Sequence, residues 1–366
     1  MGLPELSFSY EAAAQQVVAR SKRGIVALLL QDTGLDPGVY TVAHEADIPS
    51  ELGATNADYV KRALVGYTSR PSKIYLSVVA ADGTVTTALD QLTPLDYDYV
   101  AGFPDADSTD AKALGDAVIA KRKSNYIGKA VVSGYAANNE GVINFTTGSI
   151  QTAAGIFSGI TLAKGTFSAP AYCGRIAGLL AGSPQEGSAT GAALPEVTVV
   201  AAQTDEDAAE AIENGELVLW HDGRKVRVPR AVNSKTTISD SEAAILKKIK
   251  AIETIDLIHY YAITTADDEY RGQCANTYDN KCVLISALKD YLKALEPDLL
   301  AEGTSNAEID LEATRAYLKE QDVAVEDMSD DEILRANTGS YVFIALSGYI
   351  MDAMEDFRIV LRLSNT

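Results

Sequence analysis

Gly24 is followed by six consecutive apolar residues, Ile25-Val26-Ala27-Leu28-Leu29-Leu30. A strand with one wet face alternates apolar and polar positions, so an unbroken run marks a strand covered on both faces. The next hundred residues fit that setting. Periodicity predicts a helix over 56–65, strands over 74–80 and 97–103, a helix over 109–122 and a strand over 129–133. Strands alternating with helices of this length indicate an α/β layer with a largely parallel sheet.

The middle of the chain is looser. Gly182 to Gly191 is a small-residue loop, and Leu217–Trp220 with Lys225–Val228 flank Asp222-Gly223, the signature of a β-hairpin. From Ser239 the character changes. Ser239 and Glu242 have capping-box spacing, which predicts a long amphipathic helix through about Tyr260. A second helix is expected over 280–295, stopped by Pro297. Between Gly303 and Glu332 ten acids face two bases, a net of −8, which reads as a solvated acidic surface. Both chain ends are short alternating strands without a hairpin partner of their own. One carries Leu6, Phe8 and Tyr10, the other Phe357, Ile359, Leu361 and Leu363.

Composition removes several function classes. With 31 Lys+Arg against 51 Asp+Glu the net charge is −20, which argues against contact with nucleic acid or an anionic membrane. A length of 366 residues accommodates two or three domains at about 150 residues each. Three scattered cysteines, Cys173, Cys274 and Cys282, fit reduced thiols rather than a disulfide framework. The histidines, His44, His221 and His259, share no local pattern with them, so no metal site is expected. Neither a signal peptide nor a membrane-spanning segment is expected; the apolar stretch Tyr341–Ile350 is too short.

Two fragments resemble catalytic segments of subtilisin-like proteases: Leu30-Gln31-Asp32-Thr33-Gly34 after the buried strand, and Gly165-Thr166-Phe167-Ser168-Ala169-Pro170 before a helix. A triad needs a histidine to take the serine proton. None is placed to do so, which leaves Ser168 without a base and Asp32 as a strand-ending turn. The phosphate-cradling glycine loop, the dinucleotide fingerprint and His-Glu-x-x-His are all missing. Asp105, Asp107 and Asp110 lack the glycine and terminal Glu of a calcium loop. No catalytic residue and no cofactor are assigned, and the chain is read as working through its interfaces.

Six ordered segments resemble the contractile tail sheath proteins of myophages and R-type phage-tail-like bacteriocins. They are Ser21–Ala27, Arg175–Gly182 running on to Leu194–Val197, Asn214–Leu219 with Arg230–Thr237, Lys248–Asp256, Tyr278–Lys281 and Met351–Glu355. The resemblance implies a subtilisin-like α/β domain without protease activity over 23–235 and an α+β C-terminal sheath domain over 236–349. It also implies strand-donating arms over 1–22 and 350–366, which add to the sheets of neighbouring copies. Leu6, Phe8, Tyr10, Phe357, Ile359, Leu361 and Leu363 would carry that exchange. The implied partners are other copies in stacked hexameric rings, an inner tail tube protein, and baseplate and tail terminator proteins, with no direct nucleic-acid contact and no membrane insertion. The implied place is a virion or tail-like particle assembled in the bacterial host cytoplasm. An inactive or cryptic subtilisin-like hydrolase is the alternative, and a self-assembling shell or surface-layer protein a third reading.

Overall fold

The apolar run forms β1 (Ile25–Gln31), buried from Ile25 through Leu30. The computed structural model describes residues 24–239 and 243–361, which fall into two units: 24–253 with 353–361, and 254–352.

In the first unit β1 is followed by β2 (Gly38–Val42), α1 (Ala54–Leu64), β3 (Lys73–Val79), α2 (Val85–Gln91), β4 (Tyr99–Ala101), α3 (Ser108–Arg122), β5 (Lys129–Val132) and β6 (Val142–Phe145). Short strands come next: β7 (Ile150–Thr152), β8 (Gly155–Phe157), β9 (Ile160–Leu162) and β10 (Gly165–Phe167). After them lie α4 (Pro170–Ala181), β11 (Val197–Val199), α5 (Asp205–Glu213), β12 (Glu216–Leu217), β13 (Trp220–His221) and β14 (Val226–Arg227).

Seven strands make one sheet in the order β12-β6-β5-β4-β1-β3-β2, parallel throughout except for the β2–β3 edge pair. β1 is central, with Leu28 opposite Leu76 on one side and Ala101 on the other. Because side chains alternate faces, Val26, Leu28 and Leu30 pack in one apolar cluster with α1 and α4. Ile25, Ala27 and Leu29 pack in the opposite cluster with α2 and α3. At roughly 1.5–3 kcal/mol per fully buried large aliphatic side chain, a polar residue anywhere in the buried stretch of β1 would be costly, which is why none occurs there.

The Asp-Gly hairpin forms as expected. Gly223 takes φ 84° and Asp222 Oδ1 accepts the N–H groups of Arg224 and Lys225. Its strands are only β13 and β14, however. Leu217 leaves the hairpin and pairs with Phe145 as part of the large sheet.

The long helix does not start at Ser239. Residues 244–247 form a 3-10 turn, and α6 runs over Ile249–Thr265. Main-chain bonds from Asn233 N–H to Lys247 O and from Ile249 N–H to Ala231 O explain the late start, since they hold Lys248 in a β-bridge with Val232. Glu242, the other half of the expected capping box, lies outside the described residues.

The second unit takes in most of α6, α7 (Tyr278–Ala294), β15 (Asn306–Ile309), α8 (Leu311–Glu320), α9 (Asp330–Arg335) and β16 (Ile344–Ser347). Thr277 caps α7 by accepting the Asn280 N–H. Leu257, Leu284, Leu288, Leu292 and Leu295 form its main cluster, and Tyr261 stacks on Tyr291. β15 and β16 pair antiparallel from Asn306–Ser347 to Ile309–Ile344, as a two-stranded sheet among the described residues. The acidic stretch is solvated as expected, with only Asp310 of its ten acids not exposed. Several of these acids serve helix starts: Asp310 caps α8 and the Ser329–Glu332 capping box opens α9, where carboxylates meet free N–H groups and the positive end of the helix dipole.

Candidate inter-subunit site

Asp32 closes β1 and is fully occupied. Its Oδ1 accepts the N–H groups of Gly34 at 2.7 Å and Leu35 at 3.2 Å, and its Oδ2 those of Gly53 and the Asn56 amide at 2.9 and 2.8 Å. Burial alone would raise its pKa, but the bonds from Asn56 and the three backbone groups outweigh that and hold it below the ordinary carboxylate range. Four donors fill the carboxylate, and what they accomplish is to tie the turn after β1 to the start of α1.

Ser168 is exposed, and its Oγ accepts the Ala171 N–H at 3.5 Å where α4 begins. Among the described residues it has no hydrogen bond to a histidine. His221 Nδ1 accepts the Gly223 N–H in the hairpin turn, and His44 donates its backbone N–H to Asp47. The two protease-like fragments are thus a strand-ending turn and a helix start. Among the described residues, no group of His, Cys, Asp and Glu could hold a metal, and no helix is long and apolar enough to cross a membrane.

α4 is a structural post. Arg175 and Glu196, at most 1% exposed, pair at 2.6 Å; Tyr172 donates to the same Glu196 oxygen at 3.0 Å and Arg175 to Gly66 O at 2.8 Å. Burial pushes the Glu196 pKa upward, yet the Arg175 guanidinium prevails and holds it below the usual range. Gly178 permits close approach to α1, because a β-carbon there would sit 2.0 Å from Ala63 O.

The surface that faces outward to best effect is the C-terminal segment. Glu355, its side chain 5% exposed, accepts from Lys248 Nζ at 2.8 Å, Arg230 Nη1 at 3.2 Å and Ser188 Oγ at 3.2 Å, while Asp356 pairs with Arg230 Nη2 at 2.7 Å. Beyond this clamp the apolar side chains stand in solvent: Phe357 is 72% exposed, Ile359 89% and Leu361 79%. The alternating run forms no strand over 357–361. Leu6, Phe8, Tyr10 and Leu363 lie outside the described residues. Sequence reasoning missed the clamp, although Arg230, Lys248 and Glu355 each sit in a segment that carried the family resemblance.

Comparison with known proteins decides the family. The phage tail sheath protein central domain matches residues 53–234. The tail sheath protein of Clostridium phage phiCD119 is 34% identical over 366 residues, covering 98% of each chain. The chain belongs to the phage tail sheath protein family. Solved sheath proteins share the fold. The sheath tail protein of Listeria innocua superposes with a TM-score of 0.65 at 13% identity, covering 93% of this chain and 98% of the other. The anti-feeding prophage helical sheath in its contracted state gives 0.66 at 15% identity, covering 93% of each. As a tail sheath protein the chain is a structural subunit of a contractile tail, a component of a virion or tail-like particle. The degenerate protease-like fragments of this sheath protein are parts of its scaffold.

Proposed function

We propose that this sheath protein polymerises as stacked hexameric rings around an inner tail tube and contracts to drive the tube through a cell envelope, without catalysing a reaction. The carrying observation is the clamped root and bare apolar arm of the C-terminal segment. Glu355 held in a cationic notch, with Phe357, Ile359 and Leu361 left in water beyond it, supports a segment that becomes a strand only on joining another sheet. Strand addition takes affinity from main-chain hydrogen bonds and register from alternating side chains. Two-stranded β15–β16 offers edges of the kind that natural proteins otherwise protect. Leu6, Phe8, Tyr10 and Leu363 belong to the same proposal. The functional division is an N-terminal arm over 1–22, a subtilisin-like sheath domain over 23–235, a C-terminal sheath domain over 236–349 and a C-terminal arm over 350–366.

Head-to-tail contacts of this kind do not close on themselves and generate helical arrays. Assembly in an extended, kinetically trapped state stores the free energy that closer packing later releases. Baseplate and terminator proteins would set the two ends, and assembly would take place in the host cytoplasm. A chain lacking residues 357–366 tests the reading. It should remain folded and soluble and fail to form sheaths, whereas normal polymerisation would rule out strand donation by this arm.

A further inference from the structure

The second unit contains a cleft of about 630 Å³ between the turn at 270–276, the first turns of α7 and residues 339–342. Lys281 lines it and is only 5% exposed. Among the described residues its one partner is the Thr338 hydroxyl at 3.2 Å, and no carboxylate pairs with it. Burial pushes its pKa down, with no charged neighbour to oppose the shift. Lys281 also stands in the opening turns of a 17-residue helix, where the helix dipole adds to the positive potential. The other cation of the cleft, Arg271, is already paired with Asp267 at 2.6 Å.

Asn276 donates through Nδ2 to Thr338 Oγ1, Gly339 O and Tyr341 O, which holds the 338–341 wall of the cleft in place. A buried ammonium without a counter-ion is costly, and the single Thr338 contact leaves Lys281 with N–H donors to offer an anion that enters the cleft.

We propose that this cleft receives a carboxylate-bearing segment of a second copy of the chain, with Lys281 as its ion-pair partner. The inference rests on the sheath reading, which brings copies together. Charge complementarity favours that occupant: each copy carries 51 acids against 31 basic residues, so the surface of a neighbour is dense in carboxylates. The volume suits a few side chains, within the range of roughly 300–1,000 Å³ typical of binding clefts.

The test uses cylinders assembled from equal parts of unlabelled and ¹⁵N-labelled full-length protein, treated with a carbodiimide, which joins a lysine to a carboxylate in contact with it. Mass spectrometry should find Lys281 linked to an Asp or Glu peptide of mixed isotopic origin, in cylinders and not in dispersed subunits. K281M should melt at or above the wild-type temperature while needing about a tenfold higher concentration to assemble, in line with the loss of one buried interfacial ion pair. Cylinders without an inter-copy Lys281 link, or K281M assembling at the wild-type concentration, would overturn the cleft's role and leave the sheath reading standing. Failure of the wild-type chain to form cylinders at all would overturn both.

Discussion

The two units of the sheath subunit solve the problem of covering a sheet in opposite ways. In the first, a seven-stranded sheet has helices on both faces, and β1 is buried along nearly its whole length. In the second, a two-stranded sheet of largely half-buried residues accompanies smaller apolar clusters, and among the described residues a buried lysine has no carboxylate. The first covers both faces of its sheet and pairs the buried Arg175 and Glu196 within one chain, and it also carries the exposed apolar segment 357–361. The second has a two-stranded sheet and, among the described residues, a buried cation without a carboxylate, the features we propose that neighbouring copies complete.

The largest test of this contrast is in the first unit. Arg175→Met strands Glu196 at a buried position without its cation, and breaking such pairs costs about 3–5 kcal/mol. Because Trp220, the chain's one tryptophan, lies in this unit, its fluorescence in a urea titration should report the loss directly. Leu288→Ala in the second unit should cost less, about 2 kcal/mol, at the low end of leucine-to-alanine substitutions because a small cluster collapses more readily. That change is to be read by far-UV circular dichroism. Equal losses for the two variants would erase the contrast.

Acid provides a graded version of the first test. The Arg175 guanidinium holds the folded Glu196 pKa below the ordinary glutamate range, which the unfolded chain would show. Its stabilisation is therefore complete above that ordinary range and is lost as pH falls through the lowered folded value. The Trp220 melting temperature should be level above about pH 5 and drop below about pH 4 through this group, and Glu196→Gln should flatten that part of the profile. Smallest of all, Glu355→Gln should cost about 1 kcal/mol, yet it should speed protease cleavage within 357–361 by freeing the root of the arm. Unchanged cleavage would mean that Lys248 and Arg230 do not hold the segment.

Legibility in the sequence divides along physical lines. The β1 run, the helices on its flanks and the Asp222-Gly223 turn are readable because local pattern and turn chemistry set them. The short strands β7 to β10, three residues each, are too brief to show a period. The start of α6 escapes local pattern because a β-bridge between Val232 and Lys248 overrides the capping signal at Ser239. The bonds that Asp32 and Ser168 make, to the start of α1 and to the first turn of α4, emerge only in the fold. The clamp on Glu355 joins residues 107 and 125 positions apart, and Lys281 shows as uncompensated only once the fold surrounds it. Long-range pairing of charges leaves no trace in spacing.

Copies of this chain are proposed to complete one another into a contractile sheath. Negative-stain electron microscopy of the purified full-length protein tests this most directly. Long hollow cylinders of stacked rings are the predicted result; dispersed monomers or closed shells at every concentration and salt condition would contradict it.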